Sequence, residues 1–179
     1  MPLSNYKITS KLMLEVKNTP GIKSVLDVGA GFGKYGVLLR EHLDISHGRY
    51  AKKEWQVVIN AIEYYKPYVT QLHKYIYNEI FISDVYDIVD FIQDYDCILI
   101  IDCIEHMNKS KGKEVLRKLY NKCNKLFLIS FPTTCNKEEN SCWPNHRETH
   151  RCLWTVEELQ EVIGPVNILS NTLFSKVKH

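Results

Sequence analysis

The clearest chemical signal in the sequence is a glycine-rich turn, DVGAGFG, at residues 27–33. It lies between a short apolar run and a segment of helical periodicity, so we expect a strand before it and a helix after it. Glycine lets the backbone turn sharply and approach a ligand closely without steric cost. A helix beginning near Gly33 or Lys34 directs its unpaired amide groups and its positive end toward that ligand. The turn therefore predicts a ligand-binding site at this strand-to-helix junction.

Counting residues excludes two other glycine motifs. The dinucleotide fingerprint G-x-G-x-x-G needs glycine at position 34, where Lys34 stands. A phosphate-binding P-loop needs glycine at position 28 and Ser or Thr at position 35, where Val28 and Tyr35 stand. The pattern that remains is acidic-x-G-x-G-x-G, and its members are Asp27, Gly29, Gly31 and Gly33.

Three successive predicted strands are each closed by an acidic residue: Glu63, Asp84 and Asp102. In an open parallel sheet, ligands bind at the carboxyl ends of the strands. We therefore expect these carboxylates at the same edge as the glycine turn, where they can accept hydrogen bonds from hydroxyl or amine groups of a ligand. One acid at a strand end is common as a helix cap, but three in register with a glycine turn are not.

The turn and the acids together resemble motifs I to IV of the class I S-adenosylmethionine-dependent methyltransferases, over residues 25–102. The resemblance implies that the three glycines lie against the amino-acid portion and sugar of S-adenosylmethionine, and that Asp27 helps to hold the ammonium group. It implies that Glu63 accepts hydrogen bonds from both ribose hydroxyls, and that Asp84 accepts one from the adenine amine.

The same resemblance places three more residues at the cofactor. Tyr64, directly after Glu63, is expected to flank the adenosine, and Val85 is expected to pack against the adenine face. Asp102 is expected beside the methyl donor.

The segment DCIEH at residues 102–106 resembles the D-x-x-E-H segment that follows the fourth strand in many O- and C-methyltransferases. It lacks the D/N-P-P-Y/F motif of enzymes that methylate adenine or cytosine amines. Three interpretations of Glu105 and His106 stay open. His106 is a general base, suited by the near-neutral pKa of imidazole; or both residues bind a divalent metal such as Mg²⁺; or they cap the next helix and shape the pocket wall.

The metal interpretation draws on ubiquinone-type O-methyltransferases and on the terminal 2′-O-methyltransferases of small RNAs, which look similar at this segment. In that interpretation Asp102 and one of His146 or His150 complete the site, and the metal lowers the pKa of a substrate hydroxyl.

Residues 132–154 show no clear periodicity and are long for a connection inside a domain, which is typical of functional or disordered loops. We predict a lid over the acceptor. Within it, the His-Arg-x-x-Trp stretch formed by His150, Arg151 and Trp154 also resembles a segment of small bacterial methyltransferases. The lid's substrate-binding candidates are His146, His150, Arg151 and Trp154. The alternative is a surface loop, with Trp154 packed against the following helix. A zinc site at Cys135, Cys142, His146, His150 and Cys152 matches no standard spacing, so chance is favoured.

The elements that position these residues alternate between short apolar strands and helices, which indicates βαβ units around a parallel sheet. The predicted strands cover residues 24–29, 56–63, 80–83, 95–102 and 126–131. The predicted helices cover residues 5–17, 66–77 and 111–123, with one through residues 37–43, one from Thr155, where Glu158 completes a capping box, and a short helix or turn at 85–92. Residues 166–179 suffice for one strand or a short hairpin.

We therefore predict an α/β, Rossmann-like three-layer sandwich: a mostly parallel central sheet, helices on both faces, and a shortened antiparallel edge at the C-terminus. The 179 residues suit one domain, with an N-terminal helix in residues 1–20. The formal net charge of +2 does not favour nucleic acid, and no apolar run approaches the ~20 residues of a membrane span. We expect a cytoplasmic protein without disulfides, in which Cys97 and Cys103 are buried thiols.

The predicted function is O-methylation of a small molecule, such as a sugar or a secondary metabolite, with S-adenosylmethionine as cofactor and His106 as base. The alternatives are an RNA 2′-O-methyltransferase with a metal at Asp102, Glu105 and His106, and a non-catalytic cofactor-binding partner subunit. A small-molecule acceptor is the expected partner, nucleic acid the second choice, and a membrane is not expected; the sequence does not predict an oligomeric state.

Overall fold

The computed structural model describes residues 6–132 and 149–177. Seven strands in these ranges form one sheet in the order β3-β2-β1-β4-β5-β7-β6. The strands are β1 Ser24–Val28, β2 Val58–Ile62, β3 Glu79–Phe81, β4 Tyr95–Ile101, β5 Cys123–Ser130, β6 Asn167–Ser170 and β7 Leu173–Val177. The first five pair in parallel, whereas β7 is antiparallel to both β5 and β6. The carboxyl ends of β1 to β5 therefore share one edge.

Six α-helices within the described ranges cover the two faces of the sheet. They are α1 Tyr6–Asn18, α2 Lys34–Leu43, α3 Gln71–Ile76, α4 Val85–Ile88, α5 Lys109–Asn121 and α6 Val156–Ile163. Apolar residues of α1, α2 and α3 pack in one buried cluster, and those of α4, α5 and α6 pack in another. Neighbouring strand residues alternate between the clusters: Val25 belongs to the first and Leu26 to the second. This is the predicted three-layer sandwich.

The start and stop signals of two helices act as predicted. The α1 helix ends at Asn18, before Pro20 and Gly21. The Thr155 side chain accepts from the Glu158 amide, and the Glu158 carboxylate accepts from the Thr155 amide, which forms the capping box of α6.

The predicted helix over residues 66–77 is wrong in its first half. A 3₁₀ turn at Lys66–Tyr68 is followed by extended backbone at Val69 and Thr70, and α3 begins only at Gln71. Thr70 is the N-cap residue, a position that threonine favours, so the chain restarts a helix there.

The C-terminal edge has both antiparallel strands that the family pattern contains, so the expected shortening does not reduce the number of strands. It appears only in their lengths, which are four residues for β6 and five for β7. The central part of the predicted lid, residues 133–148, lies outside the described residues, and the single-domain prediction for residues 1–179 stays a prediction. Across the described ranges, every helix is too short or too polar to cross a bilayer.

Candidate active site

The glycine turn follows β1 at the carboxyl edge of the sheet. Gly29, Gly31 and Gly33 have φ angles of +77°, +55° and +82°, a region that other residues rarely adopt. A Cβ atom on Gly29 would lie 2.9 Å from the Sγ atom of Cys103, so the turn also packs closely against the segment after β4. These positions explain why the turn needs glycine on both conformational and steric grounds.

Gly31, in the middle of the turn, is bonded at both its amide and its carbonyl by buried side chains. Its amide donates to Oε2 of Glu63 at 2.8 Å, and its carbonyl lies 2.9 Å from Nε2 of His73. The other carboxylate oxygen of Glu63 accepts from the Tyr65 amide at 2.7 Å. The turn after β1 and the acid after β2 therefore form one unit, as the motif order predicts.

The tautomer of His73 follows from its two partners. The Thr70 amide donates to Nδ1 at 3.2 Å, so Nδ1 is an acceptor. The Gly31 carbonyl is also an acceptor, so Nε2 carries the hydrogen and donates to it. His73 is fully buried. Sequence analysis missed this residue, since it lies in a short helix 42 positions from its partner.

Asp27 is 1% exposed, and its Oδ2 accepts a hydrogen bond from the Tyr77 hydroxyl at 2.6 Å. Burial raises the pKa of Asp27 to about 6; the bond from Tyr77 opposes this, and the charge of Glu63 adds to it. The prediction that Asp27 touches the ammonium group of a cofactor needs a correction, because its carboxylate is enclosed and directed at Tyr77. Any effect of Asp27 on a bound cation is then electrostatic.

The three residues predicted to surround the adenosine differ in burial and in their contacts. The carboxylate of Asp84 accepts from the Tyr86 amide at 3.0 Å and caps α4. Val85 is only 4% exposed and packs in the core, so the prediction that it faces adenine is wrong. Tyr64 is exposed at the end of β2, and Ile82, 47% exposed, is an apolar side chain available near the end of β3.

Asp102 follows β4 with a φ of +48°, the one positive value among the described non-glycine residues. Backbone strain of this kind is stored at functional sites more often than elsewhere. Its Oδ1 accepts from the Ser130 hydroxyl at 2.6 Å, and its amide donates to the Ser130 carbonyl at 3.1 Å. Partial burial lowers the pKa of nearby Lys34, and the charge of Asp102 opposes that shift.

Glu105, His106 and His150 form a cluster whose potential ligand atoms all lie within 4.8 Å of one another. Glu105 is buried, the two histidines are half-buried, and their ring centroids lie 5.0 Å apart. Nδ1 of His106 lies 3.3 Å from the Thr149 carbonyl, which can only accept, so this nitrogen carries the hydrogen and Nε2 has the lone pair. The sequence predicted Glu105 and His106 together and offered His146 or His150 as the distant histidine. His146 lies outside the described residues.

The backbone of residues 149–154 is attached to the 3₁₀ turn Ile104–His106. The Arg151 amide donates to the Glu105 carbonyl at 2.7 Å, and Nε1 of Trp154 donates to the Ile104 carbonyl at 3.3 Å. Trp154 is 1% exposed, and a Cβ atom on Gly112 would lie 2.6 Å from its Cζ2 atom. The prediction that Trp154 binds substrate is therefore wrong, and its packing against the helices is the alternative that holds. The Arg151 side chain remains exposed.

The zinc interpretation of the loop finds no support in the described part. Cys135, Cys142 and His146 lie outside the described residues, while the Cys152 thiol donates to the Met107 carbonyl at 3.1 Å. Burial raises the pKa of Cys152, which favours the thiol over the thiolate that zinc needs. Burial also raises the pKa of Cys97 and Cys103. Cys97 is buried as predicted, whereas Cys103 is only half-buried.

Many solved structures share this architecture. A SAM-dependent methyltransferase from Archaeoglobus fulgidus aligns with a TM-score of 0.64 at 18% identity, over 88% of this chain and 66% of that one. An O-methyltransferase family protein from Burkholderia thailandensis aligns with a TM-score of 0.61 at 17% identity, over 94% and 55%. Magnesium protoporphyrin IX methyltransferase from Synechocystis, with bound SAH, aligns with a TM-score of 0.64 at 13% identity, over 97% and 81%.

No family model and no curated protein matches the chain. The chain spans less than two thirds of the length of the first two of these structures, 66% and 55%. The structural matches show that this chain has the class I methyltransferase fold, so the predicted fold class is confirmed.

Proposed function

We propose that this chain is an S-adenosylmethionine-dependent methyltransferase that transfers a methyl group to a hydroxyl of a small molecule. The observation that carries the proposal is the bond from the Gly31 amide to the Glu63 carboxylate, because it joins the glycine turn and the acid after β2 into one site. In a sheet of this topology, that site is where ligands bind.

The residues present fit S-adenosylmethionine. Three glycines with positive φ keep side chains away from the turn. Gly33 is the N-cap residue of α2 and makes no side-chain cap bond, so a ligand can approach the amide groups at the start of this helix. Glu63 would hold the ribose hydroxyls, with Tyr64 beside the adenosine and Asp84 near the adenine amine. When bound, the cofactor supplies an electrophilic methyl group. The chain's part is to align the acceptor with that group and to remove the hydroxyl proton.

His106 is our candidate for removing that proton. It follows β4 within a few residues of Asp102, at the edge where the methyl donor is expected. With Nδ1 directed at the Thr149 carbonyl, Nε2 has the lone pair that a base needs. Buried Glu105 beside it places a carboxylate near the imidazolium that proton transfer creates.

A metal-assisted variant of this reaction is the second candidate, and the spacing within the cluster of Glu105, His106 and His150 favours it. Two imidazoles and one carboxylate suit zinc, manganese or iron better than Mg²⁺, which prefers oxygen ligands. Of the predicted ligands, Glu105, His106 and His150 lie together, whereas Asp102 bonds to Ser130 and is not part of the cluster.

We propose a small-molecule acceptor ahead of RNA, because the formal net charge is only +2. A cytoplasmic location stays part of the proposal. A partner subunit that binds the cofactor without turnover is the alternative to an enzyme.

The deciding experiment is calorimetric titration with S-adenosylmethionine and S-adenosylhomocysteine. We expect micromolar binding by the native chain, and loss of binding in Gly31→Arg and Glu63→Ala. Gly48→Arg is the matched control, since Gly48 also has a positive φ of +79° but open space around its Cβ position. A folded native chain that binds neither ligand would refute the proposal. Binding without turnover of any hydroxyl acceptor, with or without zinc or manganese, would indicate the partner subunit.

A further inference from the structure

The buried face of α3 and the C-cap residue that follows the helix contact the glycine turn at two points. His73 and Tyr77 lie one helical turn apart, both are buried, and their ring centroids are 5.9 Å apart. His73 donates to the Gly31 carbonyl, and Tyr77 donates to the carboxylate of Asp27, the first residue of the turn. A Cβ atom on Gly36, in the first turn of α2, would lie 2.4 Å from the Tyr77 ring. This face of α3 therefore supports the turn from end to end.

Within the turn, Gly31 differs from its neighbours in how it is held. The amides of Gly29 and Ala30 both donate to the Ile62 carbonyl, and the Gly33 amide donates to the Ala30 carbonyl. These backbone bonds define the two ends of the turn. At its centre, the amide and the carbonyl of Gly31 bond to the side chains of Glu63 and His73.

We propose that His73 is a positioning residue that fixes Gly31 in the conformation through which the turn accepts the cofactor, with Glu63 holding the opposite polar group of the same residue. The proposal rests on the proposed function for the identity of the ligand. It requires the Nε2–H tautomer, because Nδ1 accepts from Thr70 and Nε2 must donate to Gly31. Loss of the donor would leave a buried carbonyl unsatisfied and release the centre of the turn.

The test uses three variants. His73→Phe keeps a planar ring but removes both bonds, whereas the side-chain amide of His73→Gln can still donate to the Gly31 carbonyl. His42→Phe is the matched control: His42 is half-buried in α2, and its ring bonds to the carbonyl of Leu38, one turn earlier in the same helix.

Two measurements are made on each variant. Calorimetry gives the dissociation constant for S-adenosylhomocysteine, and NMR gives the hydrogen-exchange rate of the Gly31 amide. We expect His73→Phe to weaken binding by roughly tenfold to a hundredfold and to accelerate Gly31 exchange. We expect His73→Gln to stay within about threefold of the native affinity, since one good hydrogen bond is retained, and His42→Phe to leave both values unchanged.

Each failure has a distinct meaning. If a folded His73→Phe variant binds like the native chain, the positioning role is overturned. If the native chain itself binds no cofactor, the proposed function fails. The hydrogen-exchange rate of the Gly31 amide then tests by itself whether His73 fixes the turn. An unchanged rate in His73→Phe overturns the positioning role. Should His73→Phe not fold, ¹⁵N NMR of the native imidazole decides the matter, because an Nδ1–H tautomer contradicts the proposed bond.

Discussion

The Tyr77 hydroxyl donates to the Asp27 carboxylate across 2.6 Å, although the two residues are 50 positions apart in the chain. The bond joins the residue that follows α3 to the carboxyl end of β1, where the glycine turn begins. It partly satisfies an acid that the fold has enclosed. Burial raises the pKa of that acid from its usual 3.8 to about 6, and the bond from Tyr77 opposes this shift.

This raised pKa predicts a pH dependence of stability. The folded state holds the Asp27 proton more tightly than the unfolded chain does, so the contribution is fully present below about pH 4 and is lost as pH rises through about 6. The loss is on the order of 3 kcal/mol. We expect the stability difference between Asp27→Asn and the native chain to shift in favour of the variant over this window. Urea unfolding at pH 4, 5, 6 and 7 measures it, and a pH-independent difference would contradict the shift.

The two amides held by Glu63 predict graded effects at that position. Glu63→Gln keeps one carbonyl oxygen and can hold either the Gly31 or the Tyr65 amide well, whereas Glu63→Ala holds neither. We expect affinity for S-adenosylhomocysteine to fall roughly tenfold in the first variant and further in the second. Glu41→Gln, exposed on α2, is the control. Native affinity in Glu63→Ala would show that the cofactor does not use this acid.

The cluster at the turn after β4 predicts a kinetic distinction between a base and a metal ligand. If His106 acts as the base, His106→Ala lowers kcat by about 10²- to 10⁴-fold, while His150→Ala keeps most of the activity. Chelation with EDTA then has no effect. We expect this pattern for the proposed reaction, with the affinity for S-adenosylhomocysteine unchanged in both variants. Equal losses in both variants, together with recovery of EDTA-treated protein on addition of Zn²⁺ or Mn²⁺, would instead establish the metal.

The buried position of Trp154 predicts a change in stability and not in binding. Gly112→Ala places a methyl group 2.6 Å from the indole, so α5 or the ring must move. We expect a loss of about 1–3 kcal/mol in the free energy of unfolding, with the cofactor affinity unchanged. Chemical denaturation measures it. Gly48→Ala is the control for a glycine with open surroundings, where only the positive φ opposes the methyl group. A Gly112→Ala variant as stable as the native chain would show that the indole is not tightly packed.

The sequence predicts those features that repeat locally. Each local motif is recognised from a few neighbouring residues, as in the glycine turn, the acids at the strand ends and the capping box at Thr155. The alternation of strands and helices along the chain is enough to predict the parallel sheet. The short break at Val69 and Thr70 was missed because the helical periodicity of residues 66–77 continues across it. A threonine three residues before His73 was the available signal, since threonine is a good N-cap residue.

The contacts by which His73 and Tyr77 hold the glycine turn could not be predicted from the sequence. Nothing near His73 or Tyr77 indicates that their partners lie 42 and 50 positions earlier, because those contacts depend on how α3 packs against α2 and β3. Trp154 shows the converse. Its neighbours, two histidines and two arginines, suggested ligand binding. A large aromatic side chain gains more from burial when its indole N–H finds a carbonyl such as that of Ile104.

The attachment of residues 149–154 to the turn at Ile104–His106 relies largely on main-chain groups. The Thr149 carbonyl and the amides of Arg151 and Cys152 make three of those bonds, and the indole N–H of Trp154 makes a fourth. The side chains of Arg151 and Leu153 face solvent. Substitutions at positions 149, 151 and 153 therefore leave the anchoring bonds intact. Side chains beside the proposed base His106 can therefore be exchanged for others that suit a new acceptor. The segment that carries them keeps its position.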